Sequence, residues 1–286
     1  MLGHLGLGNK FSNETISING EQLRLLQKGE GQPILFIHGT PGSIEDWTPL
    51  IDPLSKDYKT IAFDRPGHGF SSANNYNRTL EENVEVVLEL IKKLKLEKPL
   101  IVGHSYGGSI SAHLAANNLV DSARYVIIDA PLYKVKIDPI YRPIALPIIG
   151  EGVAWLAANT IAPSFIKRGI AKSTATISGE KLKEMVAIRK KIWTQPKVIL
   201  SRSRELSNLQ SSLNEMIPKY STITAPVTIL TGRSAYRTLV TDCERLHEAI
   251  PKSKLRVYEN CAHYVQLDSF KEVLIEIRSN LKTLNY

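Results

Sequence analysis

Short apolar runs alternate with amphipathic patterns along most of this 286-residue chain. The runs have the length and the branched side chains of buried strands, and they occupy residues 33–37, 60–64, 99–103, 124–129, 226–230 and 255–259. Helical periodicity fills intervals at residues 80–94, 109–118, 242–250 and 269–281. Strands that alternate with helices predict a mostly parallel central sheet with helices on both faces.

A hairpin is predicted ahead of this alternation. Two alternating runs, TISI and EQLRLLQ, are separated by Asn19 and Gly20. Asn-Gly between such runs is the strongest short-range hairpin signal, because both residues tolerate the positive φ angles of a tight turn. We therefore expect the hairpin to form an antiparallel edge of the sheet.

A long segment, residues 131–216, interrupts the alternation between two of these strands. It is too long for a plain crossover, so we expect an inserted helical cap, with residues 1–130 and 217–286 forming the core. The segment holds 14 Lys and Arg against 6 Asp and Glu, which accounts for all of the formal net charge of +8. A charge excess confined to one segment argues against general nucleic-acid binding and for a local role.

The stretch PIALPIIGEGVAWLAANTIAPSF, residues 143–165, contains one charged residue, Glu151. Its length would suffice to cross a bilayer, but three prolines and two glycines divide it, and it lies between strands of one sheet. We therefore interpret it as an apolar lid that lines a substrate pocket. Basic residues flank it, so contact with an anionic membrane surface is an alternative to a purely internal apolar face. These residues are Lys134, Lys136, Arg142, Lys167, Arg168 and Lys172.

The motif Gly103-His104-Ser105-Tyr106-Gly107 lies between a predicted strand and a predicted helix. Glycines at both ends of a G-x-S-x-G motif let the backbone turn sharply and present the serine hydroxyl at the top of the sheet. In this context the motif predicts a nucleophilic serine. A glycine-rich turn in which the serine only caps the helix is the alternative.

Three further segments accompany this motif: HGTPGS at residues 38–43, DRPGHGFS at 64–71 and NCAHYVQLDSF at 260–270. Together the four segments, in this order, resemble the α/β-hydrolase fold superfamily, and the chain is similar to its serine esterase and lipase-like members with a helical cap. The resemblance covers nearly the whole chain. It implies an α/β-hydrolase fold and leaves the substrate open, because this fold hosts many chemistries.

The resemblance also implies roles for individual residues. Ser105 would be the nucleophile, and His263 would be the base that takes its proton and later delivers it to the leaving group. The backbone N–H groups of Thr40 and Tyr106 would form the oxyanion hole. Epoxide hydrolases and haloalkane dehalogenases of this fold carry an aspartate at the nucleophile position, so Ser105 argues against both activities.

The acid of the triad is not evident. The family places it three residues after the glycine of GRSAYRT, where this chain has Ala235. Asp129, at the end of the strand predicted at 124–129, is one alternative source of the carboxylate. A sequence in which an aspartate was replaced, and a naturally weak catalyst, are the other two. We favour a lost acid at Ala235, because GRSAYRTL aligns with the acid loop without a gap, and keep Asp129 as the best acid present.

Ester hydrolysis is the function that these residues favour, on a small-molecule substrate with an apolar acyl or aromatic group. Carbon–carbon bond hydrolysis and perhydrolysis use the same triad and remain alternatives, as does a ligand-binding protein with crippled turnover. No cofactor is implied. No metal is implied either, since Cys243 and Cys261 lack ligand spacing and are expected to be free thiols. The N-terminal residues lack a signal-peptide pattern, which predicts a cytoplasmic protein, and the oligomeric state stays open.

Overall fold

A computed structural model describes residues 14–74, 79–135 and 138–282. Within them, eight strands form one sheet in the order β1-β2-β4-β3-β5-β6-β7-β8. The strands are β1 (Glu14–Ile18), β2 (Glu21–Lys28), β3 (Pro33–Ile37), β4 (Lys59–Phe63), β5 (Leu100–His104), β6 (Arg124–Ile128), β7 (Val227–Gly232) and β8 (Lys254–Tyr258). Every apolar run that the sequence marked as a strand is a strand in this sheet.

The predicted hairpin is present at one edge of the sheet. β1 and β2 pair antiparallel with Ile18 opposite Glu21, and β2 pairs antiparallel with β4. Asn19 and Gly20 form the turn with φ angles of 49° and 81°, the left-handed values that a two-residue hairpin loop requires. From β4 to β8 all neighbouring strands are parallel, which confirms the mostly parallel sheet.

Helices cover the sheet on both faces. In the core they are α1 (Thr48–Leu54), α2 (Leu80–Lys93), α3 (Tyr106–Ala116), α9 (Arg237–Ala249), α10 (Val265–Asp268) and α11 (Phe270–Lys282). Alternate residues of β5 show the two faces, since Ile101 packs in one apolar cluster and Leu100 and Val102 in the other. The sequence did not predict α1 or α10, which are short, and it began α9 five residues too late.

The segment between β6 and β7 is helical, as expected for an inserted cap. Its helices are α4 (Arg142–Ala145), α5 (Gly150–Asn159), α6 (Ala162–Ser173), α7 (Gly179–Trp193) and α8 (Pro196–Met216). The apolar stretch 143–165 is therefore broken into short helices. In the described parts of the chain, no helix has the length and apolar character needed to cross a membrane.

Two buried ion pairs join the cap to the core. Arg65, just after β4, pairs with Glu205 of α8, and Arg189 of α7 pairs with Asp46 at 2.5 Å. All four side chains are almost completely removed from solvent. Breaking a buried pair leaves an uncompensated charge, so these contacts hold the cap in one position over the sheet.

Candidate active site

Ser105 occupies the sharp turn between β5 and α3. Its φ and ψ angles are 53° and −122°, a conformation that non-glycine residues rarely adopt. The turn is possible because its flanking glycines allow close approach. A Cβ on Gly103 would lie 2.2 Å from the Gly107 carbonyl oxygen, and one on Gly107 would lie 2.1 Å from the Ile37 carbonyl oxygen. The glycines of the motif are therefore required by packing, and Ser105 is held at the carboxyl end of β5.

A carboxylate and an imidazole meet beside this turn. His263 follows β8, and its Nδ1 lies 2.6 Å from Oδ2 of Asp129, the residue after β6. The Thr231 hydroxyl donates to the other carboxylate oxygen, Oδ1, at 2.6 Å. Asp129 is fully buried, so its charge acts on the His263 ring with little screening by water. An aspartate bonded to Nδ1 leaves Nε2 of the ring available to accept a proton.

This contact contradicts the expectation that His263 lacks an acid because of Ala235. β6 and β7 are adjacent parallel strands, with Ile128 beside Leu230, so a carboxylate after either strand end can reach the same imidazole. Ala235 lies in the turn after β7, and its N–H donates to the Gly232 carbonyl at 3.0 Å. The carboxylate is therefore present in the site, one strand away from the position that the family pattern indicated.

The loop after β3 packs directly against the serine turn. A Cβ on Gly39 would lie 2.8 Å from the Ser105 Cβ, so the absence of a side chain lets the loop approach. The Thr40 hydroxyl lies 2.9 Å from His68 Nε2, which fixes the next residue of the loop. In the described part of the chain, neither the Thr40 N–H nor the Tyr106 N–H donates to another protein group. Both amides are therefore available to a ligand.

Arg65 supports this loop from below, a role that the sequence did not reveal. Its guanidinium donates to the carbonyl oxygens of His38 and Gly39 at 3.1 and 2.9 Å, and it lies 4.7 Å from the centre of the Tyr106 ring. Glu205 of the cap is its counter-ion, with one contact at 3.1 Å. The cap thus contributes to the position of the proposed oxyanion loop.

His104, inside the serine motif, holds the loop that carries His263. Its Nε2 donates to the His263 carbonyl oxygen at 2.9 Å, and the two rings are 4.6 Å apart. Burial, with the neighbouring His263 as a second cause, keeps the pKa of His104 well below its usual value. His104 is therefore neutral, as its role as a donor beside a second histidine requires.

Two adjoining cavities lie above the strand ends. One, of about 240 Å³, is lined by Ser105, His263, Tyr236 and the Thr40 loop. The other, of about 270 Å³, lies within the cap and is lined mainly by apolar residues of α5, α6 and α8. They share the residues Pro41, Gly169, Trp193 and Arg202. A molecule that reaches Ser105 can therefore extend a second group into the cap.

The fold and this site define an α/β-hydrolase, and the comparison with known families agrees. A family model described as alpha/beta hydrolase fold matches residues 32–270, so the chain belongs to that family.

Individual relatives are more distant. The dihydrolipoyllysine-residue acetyltransferase component of the acetoin cleaving system of Cupriavidus necator is 37% identical over 101 residues, which are 35% of this chain and 27% of that protein. The meta-cleavage product hydrolase of Pseudomonas fluorescens IP01 superposes with a TM-score of 0.79 and 22% identity, over 95% of this chain and 98% of that one. The esterase of Exiguobacterium antarcticum gives 0.77 and 20%, over 95% and 100%. At these identities the solved structures show a shared fold.

Proposed function

We propose that the protein is a serine hydrolase that cleaves carboxylic esters through an acyl-enzyme on Ser105. The observation that carries the proposal is the 2.6 Å contact between Asp129 Oδ2 and His263 Nδ1, in a cavity that Ser105 also lines. In the described part of the chain no hydrogen bond joins the Ser105 hydroxyl to the His263 ring. Such bonds are often long without substrate and tighten in the Michaelis complex.

In the proposed reaction, Ser105 Oγ attacks the ester carbonyl carbon and His263 Nε2 takes the hydroxyl proton. The carbonyl oxygen becomes an oxyanion that the Thr40 and Tyr106 N–H groups bind; one such donor contributes roughly 2.7–4 kcal/mol to the barrier reduction. The ester C–O bond breaks as His263 returns the proton to the leaving alcohol. Water then attacks the acyl-enzyme by the same route and releases the acid. Asp129 stabilises the imidazolium in both steps.

The cap cavity supports a substrate with an apolar acyl or aromatic group. Its wall includes Ile144, Ile161, Phe165 and Ile166, and burial of each substrate CH₂ there contributes about 0.8 kcal/mol. A panel of p-nitrophenyl esters of increasing acyl length, with kcat/KM measured for each, tests the proposal. An organophosphonate should label Ser105 in the wild type and label nothing in Ser105→Ala. Absence of turnover with every ester would refute the proposed reaction.

Carbon–carbon bond hydrolysis is the second candidate, because a meta-cleavage product hydrolase shares the fold over 95% of the chain. Perhydrolysis, which uses the same residues with hydrogen peroxide, is a third. Parallel assays with a meta-cleavage product and with acetate plus peroxide distinguish them from ester cleavage. A binding protein with crippled turnover loses its main argument, since Asp129 supplies the carboxylate that Ala235 does not.

We further propose that the cap can rest on an anionic membrane surface. Leu146, Ile148, Ile149, Trp155 and Leu156 form an exposed apolar surface on the cap, where Ile148 exposes 93% and Trp155 exposes 61% of its area. The residues Ile140, Ile161 and Phe165, which line the cap cavity, are also exposed, so that cavity opens towards solvent. The exposed basic residues nearby in sequence are Lys134, Arg142, Lys167, Arg168 and Lys172; Lys136 lies outside the described residues.

Vesicle co-sedimentation tests the membrane proposal. Phosphatidylglycerol vesicles should retain the protein at low salt and release it as salt rises, because ions screen exposed charges. Ile148→Ser and Trp155→Ser should weaken retention. Ile275→Ser is the matched control, since Ile275 exposes 65% of its area on α11 of the core. Equal recovery with anionic and with neutral vesicles would remove the electrostatic part of the proposal.

A further inference from the structure

Arg202 stands at the junction of the two cavities. It belongs to α8 and lines both the cavity of Ser105 and the cavity inside the cap. Val198 and Ile199, one turn earlier on the same helix, also line the cap cavity, so this face of α8 is directed at the ligand space. The Arg202 guanidinium carbon lies 4.8 Å from the centre of the Tyr141 ring, which restricts where the side chain can point.

The guanidinium of Arg202 differs from three buried arginines in its lack of a carboxylate partner. Arg24, Arg65 and Arg189 each pair with a buried aspartate or glutamate. In the parts of the chain that the structure describes, Arg202 has no ion pair, and its buried Nε has no hydrogen-bond acceptor. Asp138, the acidic residue in the wall of the cap cavity, instead caps its own turn by accepting the Ile140 N–H at 3.1 Å.

A partly buried guanidinium beside an apolar cavity is costly unless an anion binds to it. Its planar set of N–H donors matches the two oxygens of a carboxylate. The charge cannot be removed by deprotonation, because arginine stays protonated in proteins. The missing partner of Arg202 is therefore expected to arrive with the ligand.

We propose that Arg202 binds a carboxylate of the substrate, and that the substrate is an ester whose acyl part carries a second, ionised carboxyl group. The carboxylate would sit at the junction of the cavities while the ester carbonyl reaches Ser105. Arg202 is then a specificity-determining residue: it selects anionic over neutral acyl groups without taking part in bond cleavage. The position of the scissile bond rests on the proposed ester hydrolysis, whereas the carboxylate site does not.

A pair of matched substrates tests this inference. One is the mono-p-nitrophenyl ester of adipic acid, which is ionised at its far end; the other is its methyl ester, which is neutral and nearly the same size. A hydrogen bond to a charged group corresponds to about a 10- to 100-fold preference for the acid in kcat/KM. Arg202→Gln should abolish that preference, mainly by raising KM for the acid, and should retain turnover of the methyl ester. Arg202→Lys should restore part of it.

Arg168→Gln is the control, since it removes the same charge from an exposed position on α6 of the cap that lines neither cavity. Its preference for the acid should equal that of the wild type. An equal preference in Arg202→Gln and wild type, or no preference in the wild type, would overturn the inference.

Binding without turnover separates this inference from the proposed reaction. In a Ser105→Ala background, calorimetric titration with monomethyl adipate should show binding that dimethyl adipate lacks. Adding Arg202→Gln should remove it. If neither ester is hydrolysed but this difference holds, the proposed reaction is wrong and the carboxylate site stands. If monomethyl adipate binds equally with and without Arg202, or does not bind, the carboxylate site is wrong.

Discussion

Asp129→Asn is the substitution that tests the structure of the site most directly. The side chain is fully buried and accepts two short hydrogen bonds, from Thr231 Oγ1 to one oxygen and from His263 Nδ1 to the other, both at 2.6 Å. An amide has the same shape but offers one oxygen and an NH₂ group. The substitution therefore changes charge and hydrogen bonding while it preserves packing.

Either orientation of the new amide impairs His263. If its oxygen keeps the Thr231 hydroxyl, its NH₂ faces Nδ1, so the imidazole proton moves to Nε2 and blocks transfer from Ser105. If its oxygen faces Nδ1, the tautomer is correct but no negative charge stabilises the imidazolium. We expect kcat to fall by about 10⁴-fold, equivalent to a barrier increase of about 5.5 kcal/mol.

Initial rates with a p-nitrophenyl ester measure this effect, and urea denaturation verifies that the variant is folded. Ala235→Asp is the matched comparison. Since Asp129 already occupies Nδ1 of His263, we expect Ala235→Asp to change kcat little. A folded Asp129→Asn enzyme that keeps more than about a tenth of kcat, or an Ala235→Asp enzyme that gains orders of magnitude, would refute this assignment of the acid.

Glu205→Ala should lower the free energy of unfolding by about 3–5 kcal/mol in urea denaturation, because it leaves Arg65 buried and uncompensated; a cost below about 1 kcal/mol would contradict this. The pKa of His38 is lowered by burial, so the unfolded chain binds a proton more readily, and stability should fall as pH drops below about 6.5. His38→Gln should flatten that dependence, and an unchanged slope would count against it. Gly107→Ala should destabilise by at least about 1–3 kcal/mol through its contact with the β3 carbonyl, whereas Gly152→Ala, in open space on α5, should stabilise by about 0.5–1 kcal/mol; similar thermal midpoints for the two variants would disprove the packing argument.

Local patterns account for the part of the fold that the sequence predicted. The strands are apolar runs bounded by turns, and the Asn19-Gly20 turn needs no distant contact to form. Ser105 and His263 were predictable for the same reason, since each lies in a short motif directly after a strand.

The acid was misjudged because its position depends on which strands are neighbours. Asp129 reaches His263 only since β6 lies beside β7, where Thr231 also bonds the carboxylate. Strand order is a property of the assembled sheet, and a motif alignment along the chain does not contain it. Arg65 and Glu205 present the same difficulty in a stronger form. They are 140 positions apart, and neither lies in a pattern that indicates a charged partner.

That separation also sets an order of events during protein synthesis. At about 5–20 residues per second, Glu205 is added to the chain roughly 7–28 seconds after Arg65. During this interval β1 to β6 can pair, yet Arg65 has no counter-ion and the edge of β6 awaits β7, which is made only after the cap. An uncovered apolar edge strand is a template for pairing with other chains. The nascent protein therefore depends on chaperones or on rapid completion of the cap to keep its N-terminal half from aggregating.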